Sequence, residues 1–167
     1  MNLHDINTLD KTGLTRELFR CCGSEVWVNK MLSIFPVDDL VELLNDAEEK
    51  WNECSESDLL EAFSHHPKIG EVDSLKMKFS DTAVWAAGEQ AAAADADENI
   101  LQQLSSANKD YEDKFGFIFI VCATGKSAKE MLALLKIRLQ NNREVEISVA
   151  AEEQLKITQL RLEKLLA

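Results

Sequence analysis

Phe117-Ile118-Phe119-Ile120-Val121-Cys122-Ala123 is the one segment of this chain that reads as a buried strand. Its length and its branched and aromatic content favour β over helix. A buried strand must pair its backbone N–H and C=O groups with something, and no second segment of comparable character offers a partner. The stretch is therefore expected to be an extended or tight helical buried link in an all-α domain. The fold class turns on that reading.

Working outward, the neighbouring segments carry helical signals. Ser127 and Glu130 form a capping box ahead of Met131, Leu132, Leu135 and Leu139, and Asn141-Asn142 ends that helix. A last helix starts near Arg143 and contains Val145, Val149, Ile157, Leu160, Leu162 and Leu165. Upstream, Leu101 and Leu104 continue a helical spacing that Asn108, Tyr111, Phe115 and Gly116 close. A long helical region is expected from Asp81 or Thr82, through Trp85 and the Ala91–Ala94 run, and residues 67–80 are expected to be an exposed loop. Ser55 and Asp58 cap a short helix carrying Leu59, Leu60 and Phe63. Asp38 is a candidate cap for the stripe Leu40, Leu43, Leu44, Ala47 and Trp51. Ser24 caps a helix that Pro36 is expected to end, and Gly23 stops a helix built on Leu14, Leu18 and Phe19. Residues 1–11 read as an irregular lead-in.

The 167 residues suit one domain spanning 1–167, and 46% hydrophobic content supports a core. Six Gly and two Pro are too few for a many-turned β-sandwich. A formal net charge of -12 argues against binding nucleic acid or an anionic membrane surface, though a small anionic ligand sees only the local field. Cys21, Cys22, Cys54 and Cys122 show no metal-binding spacing, and a reduced, cytoplasmic chain without structural disulfides is expected. No signal peptide or membrane-spanning run is expected.

Three sets of residues invite chemistry. His66 stands before Pro67, which disfavours the α region for the residue ahead of it. A helix giving out there would either present one imidazole to a pocket or simply cap and pack its own end, and the residues leave both readings open. Arg161 shares a helix face with Ile157 and Leu165, so it either snorkels to solvent, the commoner case, or is fixed toward a planar anion. Gly125-Lys126-Ser127 suggests a phosphate loop but lacks the glycine required at position 120, which is Ile120. Lys126 is then a helix-start lysine on the surface. A helical protein-interaction module fits the acidic, capped helices equally well.

The order and spacing of these pieces resemble the 2-oxo-4-hydroxy-4-carboxy-5-ureidoimidazoline (OHCU) decarboxylase family. The matching residues are Cys22-Gly23-Ser24 with Trp27, Glu61-Ala62-Phe63 leading to His66-Pro67 and Ile69-Gly70, Glu89-Gln90, and Asn108 with Tyr111. Lys114 to Phe117, Ala123 to Ser127, Arg138-Leu139, Glu144 to Ala150, and Ile157 with Arg161-Leu162 complete the set. The resemblance implies an all-helical single domain, homodimeric and free of cofactor and metal. It implies decarboxylation of a small anionic ureidoimidazoline to (S)-allantoin in urate degradation. His66 and Glu89 would be catalytic. Arg161, Pro67, Gln90 and the segment Cys122, Ala123 and Thr124 would bind substrate.

Overall fold

The computed structural model describes residues 1–66 and 98–167, and among them it holds eight helices and no strand. The expected loop at 67–80 and the helical region from Asp81 to Ala96 lie outside the described residues, as do Pro67, Glu89 and Gln90. Residues 118–123 are neither helix nor strand, and Phe117, Ile120, Val121 and Cys122 are buried. The link therefore answers its backbone pairing problem with side chains. Arg138 Nη1 donates to the Ile120 carbonyl at 2.5 Å, and Lys126 Nζ donates to the Cys122 carbonyl at 2.9 Å.

The chain divides into two compact units, one of Met1–His66 with Ala151–Ala167 and one of Pro67–Ala150. The first begins with α1 (Leu3–Asn7), where an irregular lead-in was expected. Asn2 and Asp5 exchange side-chain and backbone hydrogen bonds at 2.9 Å, a capping box made from its shorter residues. Ile6 is fully buried and supplies the tertiary anchor that so short a helix requires. In α2 (Lys11–Cys21), Asp10 caps Gly13 N at 2.7 Å, and Leu14 and Leu18 face inward. Ser24 caps α3 (Glu25–Leu32) by accepting from Trp27 N. That helix ends four residues before Pro36, because Ser33 Oγ takes the Lys30 carbonyl at 2.6 Å and the last turn tightens. The cap of α4 (Leu40–Asn52) is Asp39, not Asp38. Asp39 Oδ1 accepts from Glu42 N, while the Asp38 N–H is claimed by the Glu42 carboxylate. Of the expected stripe, Leu43, Ala47 and Trp51 are buried and Leu40 is exposed. The Ser55–Asp58 cap opens α5 (Glu56–Ser64), with the Asp58 carboxylate accepting from Ser55 N and Oγ. Helix α3 packs against α2, α4 and α5, and buried Trp27 donates to the Ala47 carbonyl at 3.0 Å.

The second unit pairs α6 (Glu98–Phe115) with α7 (Ala128–Arg138). Leu101, Leu104, Ala107, Tyr111 and Phe115 recur every three or four residues and are buried. The Ser127–Glu130 box forms as expected, with both hydrogen bonds present. Beyond Arg138 a polar cluster is built into the core. Glu146 is fully buried and accepts from Tyr111 Oη, Arg138 Nε and Asn141 Nδ2. The Arg138 guanidinium lies 4.5 Å from the Phe119 ring centroid, an attraction of cation for π-face added to its ion pair.

The last helix, α8 (Arg143–Leu166), crosses the division between the units. Its buried row is Glu146, Ala150, Gln154, Thr158 and Leu162, in steps of four. The apolar residues expected to bury it are mostly on its flanks. Val145 is exposed, and Val149, Ile157, Leu160 and Leu165 are half-buried. In the first unit Trp51 Nε1 donates to the Ala151 carbonyl at 3.0 Å.

Candidate active site

Helix α5 loosens at its end into shorter-range bonds, from His65 N to the Ala62 carbonyl and from His66 N to the Phe63 carbonyl. This sends the two imidazoles different ways. His65 is exposed, with its ring edge-on to Phe19 at 4.9 Å between centroids. His66 is half-buried, and its Nε2 meets Gln154 Oε1 at 2.5 Å. His66 thus lodges its ring against Gln154 of α8 while His65 packs its ring on Phe19.

The corner depends on a glycine elsewhere in the chain. A Cβ on Gly23 would lie 2.6 Å from His65 Cβ and 2.7 Å from Cγ. These atoms are at the root of the His65 side chain and cannot swing away. Gly23→Ala should therefore displace the α5 end, costing about 1–3 kcal/mol as overpacking does. It should also lower any activity that depends on His66. Thermal unfolding measured beside turnover tests this, and an alanine protein matching its parent in both would show that the contact has slack.

Arg161 adopts neither sequence alternative alone. It is half-buried, and Nη1 donates to the carbonyls of Arg20 at 3.3 Å and Cys21 at 3.2 Å. These lie at the C-terminal end of α2, where unpaired carbonyls favour a cation. One arm of the planar fork is thereby fixed, which pre-orders the rest. Gln154, Thr158 and Arg161 follow at helical intervals of four and three. The His66 contact and Arg161 are thus two turns apart along α8, about 10 Å of helix rise. Sequence reading passed over Gln154 and Thr158. Their signal was the continuation of polar residues in register with Ala150 and Leu162.

The Cys21 and Cys22 thiols sit beside this face and carry no disulfide. Burial raises Cys21 from the ordinary 9.0 to about 11, with Arg161 opposing the rise. Burial raises Cys22 to about 12, against the lowering effect of hydrogen bonds with Ser24 and Thr158. The unfolded chain releases these protons first, so it binds fewer than the native chain above pH 9. Their contribution to stability is complete below about pH 9 and is lost as pH rises through about 11 and 12. Urea midpoints recorded across that range should fall, and the Cys21→Ala/Cys22→Ala double variant should flatten the fall.

Cys122, Ala123 and Thr124 belong to the other unit. Cys122 is buried, Ala123 half-buried and Thr124 exposed at a turn in which Gly125 has φ +74°. That left-handed conformation is why glycine stands there. Lys126 is half-buried on the Cys122 carbonyl and not a surface lysine as expected, so Gly125-Lys126-Ser127 is a turn, a strap and a helix cap. Among the described residues no cluster of three or more His, Cys, Asp or Glu is arranged to hold a metal ion. No helix among them is long and apolar enough to cross a membrane.

Fold and site together define an all-helical protein whose last helix carries a polar face, with an imidazole lodged on it and a guanidinium two turns further on. The OHCU decarboxylase family model matches residues 7–163, and the chain belongs to that family. It is 43% identical over 147 residues to the uric acid degradation bifunctional protein TTL of Arabidopsis thaliana, covering 87% of this chain and 45% of that protein. It is 30% identical to a uric acid degradation bifunctional protein of Bacillus sp. (strain TB-90), covering 78% of this chain and 25% of that one. The chain thus spans less than half the length of these two relatives. The crystal structure of an OHCU decarboxylase in the presence of (S)-allantoin superposes with a TM-score of 0.74 at 39% identity, covering 90% of this chain and 96% of that one.

Proposed function

We propose that this chain decarboxylates 2-oxo-4-hydroxy-4-carboxy-5-ureidoimidazoline to (S)-allantoin, without a cofactor, in urate degradation. The observation that supports it most is the family match across 7–163, with His66 turned inward at a helix end as that chemistry requires. The bond from the ring carbon to the carboxyl group breaks, carbon dioxide leaves, and the electron pair flows into the adjacent ring C=N. The ring nitrogen that receives the pair takes a proton from solvent, the neighbouring hydroxyl gives up its proton as the carbonyl forms, and the former imine carbon takes a proton on one face. The ring itself is the electron sink. The protein must hold the carboxylate out of the ring plane, steady the redistributed charge and deliver the proton to one side.

In this reading Arg161 grips the anionic substrate by charge-assisted hydrogen bonds. His66 and Glu89 handle the hydroxyl and the proton. Pro67, Gln90 and the Cys122–Thr124 backbone line the site, and 1–167 works as one domain. The family resemblance further supports a cytoplasmic homodimer, which light scattering of the purified chain would test. The deciding experiment follows optical rotation of allantoin made from freshly generated substrate. Optically active product formed faster than the spontaneous reaction upholds the proposal, and racemic product at the spontaneous rate rejects it.

A further inference from the structure

We propose that Gln154 is a positioning residue, which holds the ring proton of neutral His66 on Nε2 and so leaves Nδ1 as the nitrogen that exchanges protons. This rests on the catalytic assignment of His66 made above. The hydrogens of a buried relay can be counted one by one, and the count fixes the tautomer.

Gln154 is fully buried and Thr158 nearly so. A threonine hydroxyl has one hydrogen to give. Thr158 Oγ1 gives it to the Gln154 backbone carbonyl at 3.0 Å, one helical turn back. Only lone pairs remain for the Gln154 side chain, so the amide must turn its NH2 to Thr158, where Nε2 donates at 3.2 Å. The other end of the amide is then the oxygen. Gln154 Oε1 faces His66 Nε2 at 2.5 Å, and a carboxamide oxygen can only accept. The hydrogen in that bond therefore belongs to the imidazole. A backbone carbonyl thus fixes a hydroxyl, the hydroxyl fixes an amide, and the amide fixes a tautomer. The second nitrogen of an imidazole behaves in this way wherever its first is held by a hydrogen bond.

The Cys22 thiol beside Thr158 does not disturb the relay, since whether the hydroxyl hydrogen goes to the Gln154 carbonyl or to that sulfur, only lone pairs are left for the Gln154 amide. Glutamine also suits the task chemically. It orients the ring without placing a second charge next to it, which leaves charge control to groups that meet the substrate.

The test uses the full chain labelled with nitrogen-15, at a pH where the His66 ring is neutral. Long-range proton–nitrogen correlations of that ring are identified by their loss in His66→Ala. The expected spectrum shows the Nε2–H form. Thr158→Val frees the amide to turn and should deplete that form. It should lower kcat by roughly 10–100-fold with little change in KM, the scale seen for partners that orient metal-ligating imidazoles. Gln154→Leu should do the same, and if it fails to fold, the parent and Thr158→Val spectra still decide. A parent ring found in the Nδ1–H form would overturn the inference. So would Thr158→Val with an unchanged tautomer and unchanged kcat. An Nε2–H ring that responds to Thr158→Val in a chain without turnover would uphold the relay and reject only the reaction assigned to it.

Discussion

Replacing His66 with alanine should reduce the formation of optically active allantoin by at least about 10²-fold, and by as much as about 10⁴-fold, the range that general acid–base assistance contributes. The fold should survive. His66 is half-buried, its backbone bond to the Phe63 carbonyl does not need the ring, and no helix among the described residues depends on its side chain for a cap. Loss of its bond to Gln154 Oε1 leaves one buried acceptor unpaired at a cost of about 1–3 kcal/mol. That is a fraction of the roughly 5–15 kcal/mol of a typical domain. Helical circular dichroism should therefore be retained while turnover collapses. Near-parental kcat in a folded His66→Ala protein would remove the imidazole from the reaction.

Glu146→Ala should destabilise the fold more than either His66→Ala or Gly23→Ala, by roughly 3–5 kcal/mol. Glu146 is fully buried and Arg138 nearly so, and the glutamate also accepts from Tyr111 and Asn141. Alanine would leave a guanidinium without its counter-charge and two further donors without an acceptor. In the parent protein the Tyr111 hydroxyl is held well above its usual range, by burial first and by its hydrogen bond to Glu146 second, so it stands there as a neutral donor. The double variant Arg138→Met/Glu146→Leu provides the contrast. Removing both charges together should recover much of the stability, because a buried pair replaced by apolar groups is often nearly neutral. Urea midpoints of the two proteins separate the effects. A Glu146→Ala shift below about 1 kcal/mol would mean that water reaches the cluster.

The all-helical class was legible because one question decided it. Phe117 to Ala123 had the composition of a strand and no partner. The structure shows why the segment can nonetheless be buried: Arg138 and Lys126 supply donors from the side, and a single-strand pattern does not reveal them. Caps were legible where a Ser, Thr or Asp led a clear stripe, as at Ser24 and Ser127. They were misplaced at Asp38 because Asp38 and Asp39 are chemically equivalent until Glu42 chooses between them. Helix α1 was missed because five residues give no periodicity, and only the Asn2–Asp5 exchange marks it.

The site was legible unevenly. His66 stood out through Pro67, and the structure turns it inward. Arg161 was noticed, but its anchoring to the end of α2 involves residues 140 and 141 positions away, which no local pattern encodes. Gln154 and Thr158 were invisible to hydrophobic patterning because they occupy core positions with polar side chains. Such residues earn their burial only through a satisfied network, and the network includes a histidine 88 positions distant. The roles of Glu89 and Gln90 rest on the family resemblance.

The first compact unit draws on both ends of the sequence, Met1–His66 and Ala151–Ala167. A ribosome makes the helices α1 to α5 early but cannot close that unit until the final helix has emerged. A nascent or prematurely terminated chain ending at residue 150 would expose the surface meant for Ala151, Gln154 and Arg161. It would carry His66 without its acceptor and the last carbonyls of α2 without their cation. The candidate chemistry thus waits on residues 151–167, and a stop codon anywhere before Ala151 should be as damaging as one near the start of α1.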